Sequence, residues 1–213
     1  MLFARLLEIA SSEPVFETGL LLAGAVDPAD VRRQLSRWVR SGRIQQLRRG
    51  LYALAAPYRK TTPHPFLIAN HLVQPSYVSL QAALAHHGLI PEAVVVTTSV
   101  TTARPGTRQT VLGSFTYRHL ARDWLLGFRE VEISPGQRAL IATPEKALLD
   151  LVRLTPSADR PAFLQELRLQ NLEVLDLGEL KRLAGLSRKP KLLRAAKRIS
   201  AMAAVEAEEF ERS

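Results

Sequence analysis

Apolar residues recur at helical spacing from the start of the chain. Leu2, Leu6, Leu7, Ile9 and Ala10 form one stripe, and Ser11-Ser12-Glu13-Pro14 ends it. Residues 17–23 read as a short second helix. A third is better marked: Asp27 suits the N-cap, Pro28 the first helical position, and Asp30 the third. Val31, Leu35, Trp38 and Val39 then fall within about 100° of arc, which makes a core stripe. Ser41-Gly42 closes this helix, because glycine takes the left-handed cap conformation without cost. Two β-prone runs, 43–48 and 51–54, flank Arg49-Gly50 and predict a hairpin.

Further along, the stretch 57–65 holds three prolines and no apolar periodicity, which predicts a linker. The expected organisation is therefore an N-terminal unit over residues 1–57, a linker over 58–65 and a second unit over 66–213. In the second unit, residues 65–72 and 79–87 read as helices, with Ser79 able to cap the latter and Gly88 to end it. β-Branched runs at 94–98, 111–117, 130–133 and 139–142 predict four strands. Thr143-Pro144-Glu145 starts another helix, and several more follow. The predicted fold class is α+β: an N-terminal winged helix-turn-helix, then a mixed α+β domain with a small antiparallel sheet and C-terminal helices.

Charge sharpens this picture. The chain of 213 residues carries 29 Lys+Arg against 20 Asp+Glu, a net charge of +9. Residues 1–60 hold +5 of it, residues 61–150 only +1, and residues 151–213 the remaining +3. Arg32, Arg33, Arg37, Arg40, Arg43, Arg48 and Arg49 share a window without any acidic residue. Arg33, Arg37 and Arg40 fall opposite the apolar stripe of the third helix, while Arg48 and Arg49 stand at the hairpin tip. In a winged helix the third helix enters the major groove and the wing reaches backbone or minor groove. The residues expected to bind double-stranded DNA are thus Arg33, Arg37, Arg40, Arg43, Arg48 and Arg49. The same unit without specific DNA binding would be a protein-interaction module, and that is the alternative. A second basic group, Arg188, Lys189, Lys191, Arg194, Lys197 and Arg198, lies on the C-terminal helix, where it extends a DNA footprint, meets an acidic partner or simply faces solvent.

The remaining chemistry is mostly exclusion. There is no cysteine, hence no disulfide, thiolate metal site or cysteine nucleophile. Adjacent His86 and His87 point about 100° apart on a helix and are poor joint ligands, so no metal and no cofactor is expected. Glu130 and Glu132 share a strand face, but no third ligand or lysine follows at nuclease-like spacing, so a solvated face is expected. The glycines of Gly19-Leu20-Leu21-Leu22-Ala23-Gly24 have P-loop spacing, yet Ala25-Val26 follows instead of Lys-Ser/Thr. No hydrolase, zincin or dinucleotide motif occurs, and no enzyme is expected. The opening Met-Leu-Phe-Ala-Arg-Leu-Leu-Glu lacks a basic leader, and no run of 18 apolar residues exists. The expected location is cytoplasmic, with no membrane partner.

Three strings together resemble a known family. Trp38-Val39-Arg40-Ser41-Gly42-Arg43-Ile44 with Arg48-Arg49-Gly50-Leu51-Tyr52 is similar to the N-terminal winged helix of AbiEi-type antitoxins, bacterial transcriptional autorepressors. Ser76-Tyr77-Val78-Ser79-Leu80-Gln81-Ala82-Ala83-Leu84, followed by His87-Gly88-Leu89-Ile90-Pro91, resembles that family's second block. Ala142-Thr143-Pro144-Glu145-Lys146-Ala147-Leu148-Leu149-Asp150 resembles its third. The resemblance implies an antitoxin of a type IV toxin–antitoxin system. It would repress its own operon through operator DNA and oppose a cognate AbiEii-type nucleotidyltransferase toxin, without need of a stable complex.

Overall fold

The computed structural model describes residues 2–22 and 27–211. The chain begins with α1 (Phe3–Ala10), a two-residue strand β1 (Phe16–Glu17) and a 3-10 turn (Thr18–Leu22). Then come α2 (Pro28–Arg40) and the hairpin strands β2 (Ile44–Arg48) and β3 (Leu51–Leu54). The three strands form an antiparallel sheet in the order β1-β3-β2. Leu6, Val31, Leu35, Trp38, Ile44, Tyr52 and Leu54 make its core.

The short second helix expected over 17–23 is present as a 3-10 turn over Thr18–Leu22 rather than an α-helix, Glu17 belongs to β1 instead, and Ala23 lies outside the described residues. Pairing with the hairpin draws Phe16 and Glu17 into the sheet and shortens the helix. Phe16 and Glu17 pair with Tyr52 and Leu51, the Phe16 and Tyr52 rings stack at 5.7 Å, and Thr18 N–H donates to the Gly50 carbonyl at 2.9 Å.

Strand β3 is buried on both faces, which explains its unbroken Leu-Tyr-Ala-Leu run. Tyr52 and Leu54 face the first core. Leu51 and Ala53, with Leu47 and Val15, join the core of the second unit. A bulge between Gln46 and Arg48 turns Leu47 to that side. The hairpin is thus a wall shared by two cores. The stretch between the units is also fixed: the buried Gln137 side chain accepts from His64 N–H at 2.7 Å and donates to the Thr62 carbonyl at 3.0 Å.

The second unit runs α3 (Pro65–Leu72), β4 (Ser76–Val78), α4 (Leu80–His86), β5 (Thr97–Thr101), β6 (Gly106–Thr110), β7 (Gly113–His119), β8 (Phe128–Ser134), β9 (Gln137–Ala142), α5 (Pro144–Leu154), α6 (Pro161–Glu166), α7 (Leu177–Leu186) and α8 (Pro190–Glu211). Its sheet has the order β6-β7-β5-β4-β9-β8. The mixed α+β class is as expected, but the sheet is neither small nor wholly antiparallel. It has six strands, and β4/β9 and β5/β7 pair in parallel. Two strands escape the sequence pattern for physical reasons. β4 is three residues long, too short for alternation to show. β6 reads Gly-Thr-Arg-Gln-Thr and is an exposed edge without an apolar face.

The β-branched run at 94–98 enters the sheet only at Thr97, and Val95 is 92% exposed. Likewise 111–112 is the tip between β6 and β7, where Gly113 takes φ of +137°. Helix α5 matches its prediction, with the Thr143 hydroxyl accepting from Lys146 N–H at 3.3 Å. It is buried nearly all round, from Pro144 to Val152, which places it at the centre of the unit.

Candidate nucleic-acid interface

Helix α2 starts as its sequence dictates. The Asp27 carboxylate accepts from Ala29 N–H at 2.8 Å, and Pro28 occupies the first turn. Val31, Leu35 and Trp38 are buried, and Phe3 packs edge-on against Trp38 at 5.3 Å. That contact fixes the rotation of α2. The face turned outward is then Arg32, Arg33, Ser36, Arg37 and Arg40, which together line an open hollow of about 340 Å³.

The four guanidiniums differ in their commitments. Arg33 is ion-paired with Asp30, whose hydrogen bond and charge push the Arg33 pKa upward. Arg32 Nε donates to the Pro28 carbonyl at 3.0 Å, and Arg40 Nε to that of Ser36 at 3.4 Å. These local bonds hold the side chains along the helix but leave most N–H donors outward. The Arg37 guanidinium has no hydrogen bond or ion pair among the described residues.

The hairpin residues also separate. Arg43 is exposed at the hairpin base, with its guanidinium 5.0 Å from the Phe3 ring centre. Arg48 bridges the two units: it donates through Nε to the His71 carbonyl at 3.1 Å and through a terminal nitrogen to Glu17 at 3.1 Å. A further N–H reaches the Arg49 carbonyl at 3.1 Å. Arg49 is exposed at the tip beside Gly50, whose φ of +83° the turn requires. Its side chain has no partner among the described residues.

The C-terminal basic group divides in the same manner. Lys191 donates to the Thr155 carbonyl, Arg194 pairs with Asp159 at 2.8 Å, and Arg198 donates to the Asp159 carbonyl. These three clamp the loop between α5 and α6 onto α8. Arg188 and Lys189 lie in the exposed turn before α8, and Lys197 is exposed on the helix.

The two features that sequence placed under suspicion have local roles. Glu130 pairs with Arg138 at 2.8 Å, and Glu132 accepts from Gly136 N–H at 3.3 Å, both on the exposed face of β8. His87 ends α4 with its Nε2 2.8 Å from the Ala142 carbonyl, while the His86 ring meets the edge of Phe66 at 5.6 Å. Among the described residues no group of three His, Cys, Asp or Glu side chains converges as metal ligands would. No described helix is long and apolar enough to cross a membrane.

One cluster was not legible in the sequence. Lys146 and Asp150, one turn apart on α5, form an ion pair with no exposed side-chain surface. The Asp150 carboxylate also accepts from Tyr77 O–H and Ser79 O–H, each at 2.9 Å, and from Trp124 Nε1–H at 2.8 Å. Lys146 Nζ donates to the Tyr77 oxygen at 2.7 Å and stands 4.6 Å from the Trp124 ring centre. Burial pushes the Lys146 pKa down, against the opposing pull of Asp150. Burial and then Asp150 push Tyr77 up. The Ser79 hydroxyl, expected to cap α4, points to Asp150 instead. The Thr98 hydroxyl oxygen takes over at α4, accepting from Ala82 N–H at 3.1 Å. The i, i+4 spacing of Lys146 and Asp150 was the available signal; their partners come from β4 and from the turn before β8.

With α2 and the hairpin thus described, one comparison decides the kinship of this segment. Residues 23–55 match the family model described as transcriptional regulator, AbiEi antitoxin. The AbiEi-like segment takes in α2 and both hairpin strands, so the arginine-bearing elements lie within it. The strings around Ser76 and Ala142 lie outside the match. No curated protein matches the chain.

Proposed function

We propose that the protein is a DNA-binding transcriptional autorepressor and the antitoxin of a type IV toxin–antitoxin pair, opposing an AbiEii-type nucleotidyltransferase toxin in the cytoplasm. The observation that carries this reading is the segregation of α2. One face is buried around Trp38, and the other gathers four arginines into one open hollow. The AbiEi family match over the same residues supports it. In this reading residues 1–57 form a winged helix-turn-helix. α1, the 3-10 turn and α2 are its three helical elements, and β2–β3 is its wing.

The chemistry follows from the placement. Arg33, Arg37 and Arg40 present planar donor forks along one helix face, suited to guanine edges and phosphates. Arg37 carries the largest share because nothing among the described residues competes for its guanidinium. Arg43 and Arg49 bind backbone phosphates at the base and tip of the wing. Arg48 contributes chiefly by holding the wing against α3. Residues 66–213 oppose the toxin, and α8 with Arg188, Lys189 and Lys197 supplies a second basic surface.

The test separates the two activities in the full chain. Arg37→Ala combined with Arg49→Ala abolishes repression of a reporter driven by the protein's own upstream DNA. The same variant still relieves growth arrest when co-expressed with the toxin. Full repression by that variant rules out the DNA-reading role of α2. Loss of rescue by a folded variant rules out the division of labour.

A further inference from the structure

We propose that Asp30 is a positioning residue that aims Arg33 at a guanine and so sets part of the operator sequence. The inference rests on the DNA reading of α2 and deepens it. At 100° per residue, Asp30, Arg33 and Arg37 fall within about 60° of arc, so a carboxylate stands on the face that gathers the arginines. Between residues 27 and 49 the acidic side chains are Asp27 and Asp30. Asp27 caps α2 through Ala29 N–H. Asp30 pairs with Arg33, its one hydrogen-bond partner among the described residues. Both side chains stay open to an incoming groove, Asp30 exposed to 59% and Arg33 to 66%.

Electrostatics alone gives this carboxylate no reason to be there. An exposed i, i+3 ion pair adds little to stability. On a face that meets phosphates, a negative charge also repels the ligand. The gain is geometric. Arginine has a long, flexible stem, yet a guanine edge accepts its planar fork in one orientation, through O6 and N7. Asp30 Oδ1 takes an N–H of Arg33 Nη2, and among the described residues the other guanidinium donors have no partner. The fork is thus held from one side and left free for the base on the other. Arg33 also lies closer to the start of α2 than Arg37 and Arg40, and the N-terminal residues of a recognition helix are those that meet base edges. Asp30 Oδ2 has no partner among the described residues and accepts from the exocyclic amine of cytosine or adenine at the neighbouring base pair.

The experiment measures affinity of the full chain for its own upstream DNA and for a scrambled duplex at one salt concentration. It compares the wild type with Asp30→Ala, Asp30→Ser, Arg33→Ala and the combined Asp30→Ala and Arg33→Ala. Removing the carboxylate has two effects of opposite sign. Loss of repulsion tightens binding to both duplexes, whereas loss of aim weakens binding to the operator. Each Asp30 variant therefore lowers the preference for the operator by about tenfold while binding the scrambled duplex at least as well as the wild type. Arg33→Ala lowers the preference as much, and the combined variant no further. Single-base replacements along the operator then locate one guanine whose loss costs the wild type about tenfold and leaves Arg33→Ala unaffected. Circular dichroism verifies that each variant is folded, and serine keeps a residue suited to a helix start. An undiminished preference in the folded Asp30 variants, or additive losses in the combined one, overturns the proposal and leaves the DNA reading standing. A wild type without preference for its own upstream DNA overturns that reading and this proposal with it.

Discussion

Asp150 is the common acceptor of a buried polar cluster in the second unit. It compensates the buried Lys146 charge and receives three further hydrogen bonds from Tyr77, Ser79 and Trp124. Removing one partner of such a pair leaves an uncompensated charge in a low-dielectric interior. Asp150→Ala should therefore lower stability by about 3–5 kcal/mol. Lys146→Met together with Asp150→Leu should recover part of that loss, because no charge then remains buried. Urea titrations of the two variants check the order. At the proposed DNA interface, Arg49→Ala should make the slope of log affinity against log salt shallower by about one unit for every DNA sequence. Arg37→Ala should instead cost about 1–3 kcal/mol on the operator and reduce discrimination, as loss of a guanine contact does.

At the scale of elements, α2 and the hairpin were legible because their signals are local. Asp27-Pro28 marks the start of α2, Trp38 its core face and Gly42 its end, and the structure places all three as expected. Asp27→Ala should destabilise the N-terminal unit by about 1 kcal/mol, and Trp38→Ala by about 3–5 kcal/mol. Thermal melts followed by Tyr and Trp fluorescence would rank them. Elements set by distant partners were not legible. β1 exists because β3 offers it a free edge, and β4 because β5 and β9 flank it. The same holds within the candidate site. The exposed face of α2 follows from spacing, but the ties of Arg48 to Glu17 and His71 cross 31 and 23 residues. No pattern along the chain reports such a tie.

For the whole molecule, the shared wall of Leu47, Leu51 and Ala53 makes the two units mechanically continuous. Removing the hairpin would open the second core to water, so the two proposed activities are best separated by surface substitutions. His64, His71, His86 and His87 all have pKa values pushed below 6.5, in each case chiefly by burial. The unfolded chain then binds more protons than the folded one below about pH 6.5, so stability is lost as pH falls through that value. The thermal midpoint should fall between about pH 7.5 and about pH 5; a flat profile would contradict these lowered pKa values. The central claim concerns the arginine face of α2, and salt tests it most directly. Affinity for the protein's own upstream DNA and for a scrambled duplex is measured from about 50 to about 200 mM salt. Neutralising about five phosphates gives a slope near −4.5 and a loss of about 10²–10³ in affinity over that range, with the operator preferred throughout. Equal affinity for the two duplexes, or an Arg37→Ala variant that binds the operator as well as the wild type, would contradict it.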